Sequence, residues 1–320
     1  MLRRRLLLAP LLASPALASR AGAEGGRPVR LVVPFAAGGI IDVVARILAE
    51  PMGRRLGQTV VVENLPGAGS SIGARAVARA APDGQTLLLT GAAHAVLTPL
   101  YPDLGFDPLA DFAPVTLLGD QPFVVAVHPA VPARDVPGLL AWLRLRGDAV
   151  NFATTGIGAA SHLAGELLKS LAGVAFTVVP YRGTPQAVTD LVAGRAELMI
   201  DSQTLLAPLA GDGRVRALAV TTAHRSRLLP DLPTLAEAGV PGYAASSWQS
   251  LQAPAGTPPA TIARLAEAAA GALAEPAVQA RYAVAGVEPL VGGPAEATRF
   301  IAAEAARWAL ILRATGARAN

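Results

Sequence analysis

Short runs of β-branched and apolar residues alternate along this chain with stretches whose apolar positions recur every three or four residues. The runs at 29–33, 59–63, 86–90, 123–128, 151–154, 176–179, 198–201, 215–221 and 247–253 have the length and the bounding glycines or prolines of strands. Helical patterns lie between most of them, and that alternation predicts an α/β architecture of doubly wound, largely parallel sheets. Several helix ends are marked. Thr184-Pro185 sets a hydroxyl before a proline with Gly194 as a stop, and Gly293-Pro294 opens a last helix that ends near Gly316. The most informative stretch is Val29 to Ala49, VRLVVPFAAGGIIDVVARILA, where a strand breaks at Pro34, passes Gly38-Gly39 and enters an amphipathic helix. A strand feeding a glycine loop into a helix presents uncapped N–H groups at the positive end of the helix dipole, which suits an anion. The glycines let that anion approach without a Cβ in the way, and Asp42 falls in the helix's first turn.

Two stretches read as crossings between domains: 123–128, after the proline-rich 107–122, and 215–221, before the irregular 223–245. Two crossings divide the chain into a discontinuous first lobe, 24–124 with 223–320, and a second lobe, 125–222, separated by a cleft onto which strand ends and helix starts open.

Residues 1–23 read as a secretory signal: Arg3, Arg4 and Arg5, a short apolar run from Leu6 to Leu17, then small residues before Glu24. That predicts export. Cleavage also changes the charge. Removing those residues takes away four arginines and no acid, leaving 23 basic against 23 acidic residues, and a neutral chain gives no electrostatic reason to bind nucleic acid. The absence of cysteine excludes disulfides and thiolate chemistry, and His94, His128, His162 and His224 are too dispersed for a metal site. No cofactor is expected.

The motifs continue in order. After Pro34 to Gly39 with Asp42 and Arg46 come Glu63-Asn64-Leu65-Pro66-Gly67-Ala68-Gly69, Ala81-Pro82-Asp83-Gly84, Thr155-Gly156-Ile157-Gly158 with Ser161-His162-Leu163, Pro180-Tyr181-Arg182-Gly183, Leu232-Pro233-Thr234, and Trp248 before Ala253-Pro254-Ala255-Gly256-Thr257-Pro258. The ordered set resembles the solute-binding proteins of tripartite tricarboxylate transporters, the Bug family, across the whole mature chain. Ala37 and Ser70 depart from it, where the family often has proline and glycine. The resemblance implies a two-lobed periplasmic binding protein of the type II-like, Venus-flytrap kind, monomeric, not an enzyme, that closes on a small carboxylated solute and delivers it to integral-membrane transporter subunits.

The candidate ligand-binding residues of the first lobe are Phe35, Ala36, Gly38, Gly39 and Asp42 in the first loop, Gly69, Ser70 and Ser71 in the second, and Ala92. In the second lobe, Thr154, Thr155, Gly158 and Ser161 repeat the design with hydroxyls and bare N–H groups, suited to a ligand's other polar end. His162 either touches ligand or pairs, neutral, with Glu166 one turn on. Tyr181, Arg182 and Gly183 are placed on the cleft rim, Arg182 as a fork for a distal carboxylate or as a structural arginine. Asp201 holds a ligand hydroxyl or amine, or bridges the lobes; Trp248 shapes the cleft or belongs to the core.

Two rival functions follow from the same residues. Gly69-Ser70-Ser71-Ile72-Gly73 is formally a nucleophile elbow, and Ser71, Asp201 and His224 occur in hydrolase order, but Asn64-Leu65-Pro66 interrupts the strand that an elbow requires. A binding protein that docks on a signalling receptor is the other.

Overall fold

The computed structural model describes residues 26–101, 103–181, 183–290 and 292–316 of the 320. The expected signal segment and Arg182 lie outside the described residues. The first lobe starts with β1 (Gly26–Val33), α1 (Ile40–Leu56), β2 (Gln58–Asn64), α2 (Ser71–Ala78), β3 (Thr86–Gly91) and two single turns, α3 (Ala92–Ala95) and α4 (Leu97–Leu100). A long β4 (Phe112–Val127) leads to α5 (Val136–Arg146), β5 (Asn151–Thr154), α6 (Ala160–Ala172), β6 (Thr177–Pro180), α7 (Thr184–Val192), β7 (Leu198–Ser202), α8 (Gln203–Gly211) and β8 (Arg216–Val220). The chain returns through β9 (Ser246–Pro254) and finishes with α9 (Pro259–Leu273), α10 (Pro276–Ala285) and α11 (Pro294–Thr315).

One strand belongs to both sheets. Residues 112–122 of β4 pair with β9 in a first sheet ordered β2-β1-β3-β9-β4, and residues 123–127 pair with β7 and β8 in a second, ordered β8-β4-β7-β5-β6. Strand directions then fix the position of the cleft. β9 is antiparallel to β3 and to β4, so β4 runs with β1 and β3 and leaves the first sheet at their carboxyl ends. In the second sheet β4 opposes β7, which is parallel to β5, so it enters where those strands end. The carboxyl edges of the two sheets therefore face each other across the switch at Pro122 and Phe123, and every loop following a parallel strand opens into the same space.

Covering both faces of each sheet explains why the strands read as continuous apolar runs rather than as alternation. Leu31, Val33, Leu87 and Leu89 meet α1 and α9, whereas Val32 and Leu88 turn to α2. In the second sheet Phe123, Val125, Phe152, Leu198 and Ile200 face α6, and Val124, Ala126, Ala153 and Met199 face α7 and α8. Each fully buried Leu, Val or Ile is worth about 1.5–3 kcal/mol.

Three boundaries differ from the sequence expectation. The strand expected at 123–128 begins at Phe112, because its two prolines occupy tolerated places: Pro114 borders a register shift and Pro122 adjoins the change of sheet, where a missing N–H costs no regular ladder bond. The return segment, expected with the first lobe, packs on the second: Thr234 bridges Val220, Leu235 and Val240 join the cluster of Phe152 and Leu163, and the Tyr243 hydroxyl donates to the Ala164 carbonyl at 2.7 Å. Gly183, not Thr184, is the cap residue of α7, one position earlier. Thr221 ties the two crossings together. Its hydroxyl accepts from the Phe123 N–H at 3.1 Å, and its carbonyl accepts from the Ala245 N–H at 2.9 Å.

Candidate functional site

Phe35, Ala36, Gly38 and Gly39 form the loop between β1 and α1, exposed from Ala36 onward. Gly38 takes φ +88°, a left-handed conformation open to glycine, and Gly39 caps α1 in extended backbone with no side-chain bond. Among the described residues the N–H groups of Gly39, Ile40 and Ile41 have no protein acceptor. Asp42 is buried beneath the loop with both oxygens engaged. Oδ2 accepts from the Gly38 N–H at 2.9 Å, Oδ1 from Asn64 Nδ2 at 2.9 Å, and Arg46 Nε lies 3.0 Å from each. Burial alone would raise its pKa; the Arg46, Gly38 and Asn64 bonds outweigh that and hold the carboxyl below the usual carboxylate range. Asn64 also donates to the Phe35 carbonyl at 3.1 Å, which joins the first loop to the end of β2.

The second loop carries the chain's unusual backbone. Ala68 and Ser70, neither of them glycine, take φ +43° and +85°, a cost of roughly 1–3 kcal/mol each that persists only where the surroundings impose it. Ser70 precedes α2 without capping it, and its buried hydroxyl has no partner; Ser71 is buried as the first residue of that helix. Gly73 presses α2 onto the first loop, since a Cβ there would lie 2.8 Å from the Leu65 carbonyl oxygen and from the Pro34 ring. Thr90, near the end of β3, has a second buried hydroxyl without a partner, two residues before buried Ala92.

Across the cleft, β5 ends in Thr154 and the chain turns through Thr155, Gly156, Ile157 and Gly158 into α6, whose cap residue Ala159 makes no side-chain bond. The Ser161 hydroxyl gathers this turn, 2.8 Å from Thr154 Oγ1, 2.9 Å from Thr155 Oγ1 and 3.2 Å from the Thr155 N–H. His162 is buried; its Nδ1 accepts from the Gly158 N–H at 3.1 Å and its Nε2 lies 3.8 Å from Glu166 Oε1. Burial lowers its pKa against the pull of Glu166. Tyr181 follows β6, its hydroxyl donating to Asp190 Oδ2 at 2.7 Å; burial and that bond push its pKa up to about 12. Asp201 sits at the end of β7, Oδ1 accepting from the Ser202 N–H at 2.7 Å, and burial pushes its pKa up to about 6. Trp248 is buried in β9 and donates to Glu304 Oε2 of α11 at 3.0 Å.

The facing edges thus bring together the first loop, the second loop, the Thr154–Ser161 turn, Tyr181, Gly183 and Asp201. Leu100 and Tyr101, which the sequence reading passed over, pack against the glycine loops, Leu100 on that of the second lobe and Tyr101 on that of the first. A Cβ on Gly158 would come within 2.9 Å of Leu100, and one on Gly69 would collide with the Tyr101 hydroxyl, whose pKa burial raises. Both lie in or just after the single turn α4, which has no periodicity to read. Ser71, Asp201 and His224 are not linked by any hydrogen bond among the described residues, and His224 lines a separate cavity of about 370 Å³ beside the crossings, with Asp120 and Arg307. No group of three or more potential metal ligands occurs among the described residues, and no helix there is long and apolar enough to cross a membrane.

Comparison with known proteins gives this cleft its context. Residues 44–317 match the family TctC, the tripartite tricarboxylate transporter family receptor. Protein BugT of Bordetella pertussis is 38% identical over 294 residues, 91% of this chain and 90% of its own. The periplasmic binding protein BugD superposes with a TM-score of 0.80 at 38% identity, covering 92% of this chain and 99% of BugD. An R. palustris protein solved with adipate gives 0.81 at 36%, covering 92% and 99%. With facing carboxyl edges, uncapped glycine loops in both lobes and this extent of identity, the chain belongs to the TctC family of tripartite tricarboxylate transporter receptors and has its two-lobed binding-protein fold.

Proposed function

We propose that this protein is exported to the periplasm, captures a small dicarboxylate between its lobes, and hands it to the membrane subunits of a tripartite tricarboxylate-type transporter. One observation carries the reading. Helices α1, α2 and α6 each start on the facing edges behind a left-handed glycine, Gly38, Gly69 or Gly158, that stands one residue before a helix cap making no side-chain bond. Uncapped starts cost stability unless something else fills them, and a carboxylate at each end of a solute does so. The buried hydroxyls of Ser70 and Thr90 supply further donors. The neighbour with adipate supports a dicarboxylate, and the family supports delivery to a permease.

Two carboxylates on opposite lobes cannot both be satisfied while the cleft is open, so binding favours the closed arrangement through its differential affinity. Calorimetry against succinate, malate, glutarate and adipate, with hexanoate as the monocarboxylate control, tests the ligand class, and solution scattering tests closure. At least one dicarboxylate should bind much more tightly than hexanoate and reduce the radius of gyration. Equal binding of hexanoate would remove the second anion site. Delivery is tested by uptake of that dicarboxylate in cells lacking the protein, which should fall.

A further inference from the structure

The two loops that face each other across the cleft are held by the same bond. In the first, the Gly38 N–H donates to Asp42 Oδ2 at 2.9 Å; in the second, the Gly158 N–H donates to His162 Nδ1 at 3.1 Å. Both donors are glycines in the left-handed region, φ +88° and +80°. Each stands one residue before the helix cap, Gly39 or Ala159, and each acceptor is the third residue of its helix, almost wholly buried. This is half of a capping box moved one residue toward the N-terminus. It turns one glycine N–H back into the protein and fixes the loop, while the first-turn N–H groups keep no protein acceptor among the described residues; the cap N–H is also without one at Gly39, whereas that of Ala159 donates to the Gly156 carbonyl at 3.2 Å. Helix α2, also entered through a left-handed glycine, has Gly73 at the corresponding position and lacks the device.

The two acceptors differ in chemistry. Asp42 is a carboxylate offset by Arg46 and Asn64. His162 accepts only through an unprotonated Nδ1, which places its proton on Nε2, toward Glu166. A neutral ring holds the loop without adding negative charge beside the second end of an anionic solute.

We propose that Asp42 and His162 are a matched pair of positioning residues, each pinning its lobe's glycine loop so that the remaining N–H groups are preset for a carboxylate, and that His162 does this only as the neutral Nε2–H tautomer. The inference rests on the carboxylate-capture reading for its purpose, but its test does not need a ligand. Asparagine places an amide oxygen near the position of Nδ1, and glutamine near that of Nε2, so H162N keeps the acceptor and H162Q loses it. Amide exchange by NMR on the ligand-free protein reads Gly158 directly, with Gly38 in the other lobe as the control for folding. Gly158 should stay protected in H162N and exchange about fivefold to tenfold faster in H162Q, the net worth of one hydrogen bond, with Gly38 unchanged in both. Acid gives a second route that needs no variant. The charges acting on His162 are Glu166 and Lys169, both on α6; among the described residues no titratable group of β5, β7, β9 or α11 acts on it. Protonating the ring should release Gly158 before Gly38, and H162N should abolish that order.

Equal protection of Gly158 in H162N and H162Q, or a 15N spectrum with the proton on Nδ1 at pH 7, overturns the proposal. If H162Q loses Gly38 protection as well, it is misfolded and the acid titration of the native protein decides. A panel of dicarboxylates that all fail to bind, beside an intact Gly158 contrast, refutes the functional reading and leaves the positioning assignment standing.

Discussion

Valine at Gly38 and valine at Gly39 should separate folding from binding, although the residues are adjacent. Gly39 has φ −74° and ψ 165°, extended backbone that a β-branched residue favours, and an added Cβ meets only the Ala36 carbonyl oxygen, at 3.7 Å. Losing glycine's freedom in the unfolded chain contributes roughly 0.4–1 kcal/mol toward the folded state, so G39V should hold its melting temperature within about 2 °C. Gly38 has equal room, with nothing within 4 Å of its Cβ, but φ is +88°. A valine there carries roughly 1–2 kcal/mol of left-handed strain, and G38V should melt about 2–6 °C lower. Both side chains crowd the same N–H groups. Losing one charge-assisted bond to a carboxylate, about 1.5–3 kcal/mol, corresponds to roughly a tenfold to hundredfold weaker Kd. G39V should therefore be a stable protein that binds poorly, read by scanning calorimetry and by titration with the best dicarboxylate of the panel. Native affinity in G39V would show that no anion sits on this loop. A melting loss equal to that of G38V would refute the backbone argument.

Other expectations follow from single groups. The fold raises the Asp201 pKa to about 6 from an unfolded value near 3.9, so its stabilising contribution is present below about pH 4 and is lost as pH rises through 6. D201N keeps the oxygen that accepts from the Ser202 N–H; its melting advantage over the native protein should be absent at pH 4 and present at pH 8, and a difference independent of pH would contradict the buried-acid account. Glu304 accepts from the indole N–H groups of Trp248 and Trp308 at 3.0 and 2.8 Å, so E304A strands both and should cost roughly 2–4 kcal/mol in denaturant unfolding, while E304Q, which retains an acceptor, should cost far less. N-terminal sequencing of protein from the periplasm should place the mature start between Ser19 and Gly26; an intact Met1 there would exclude the signal.

Much of the molecule was legible in one dimension because its determinants are local. Nine apolar runs became nine strands, Gly293 and Gly316 bound the last helix as read, and the glycine loops lie where strands end and helices start. Residue type alone excludes thiol chemistry, and the spacing of glycines identifies loops that admit an anion. Tertiary structure decided what depends on distant partners. That β4 begins at Phe112 follows from its ladder with β9, more than a hundred residues away, which the prolines of 107–122 conceal. The return segment joins the second lobe because Leu235, Val240 and Tyr243 find their apolar neighbours there, and a loop's sequence does not say which of two cores it covers. Asp42 reads as a first-turn acid beside a binding loop; only the approach of Asn64, together with Arg46 one turn on, uses both of its oxygens and makes it the fastening of that loop. Tyr101 and Leu100 gave no signal at all, because Tyr101 reaches Gly69 from another segment of the first lobe and Leu100 meets Gly158 across the lobes, and neither contact leaves a pattern in the chain around it. Backbone preference and periodicity act over a few residues, whereas the cleft is made by contacts between segments far apart in sequence, and that difference in range sets what the sequence alone determined.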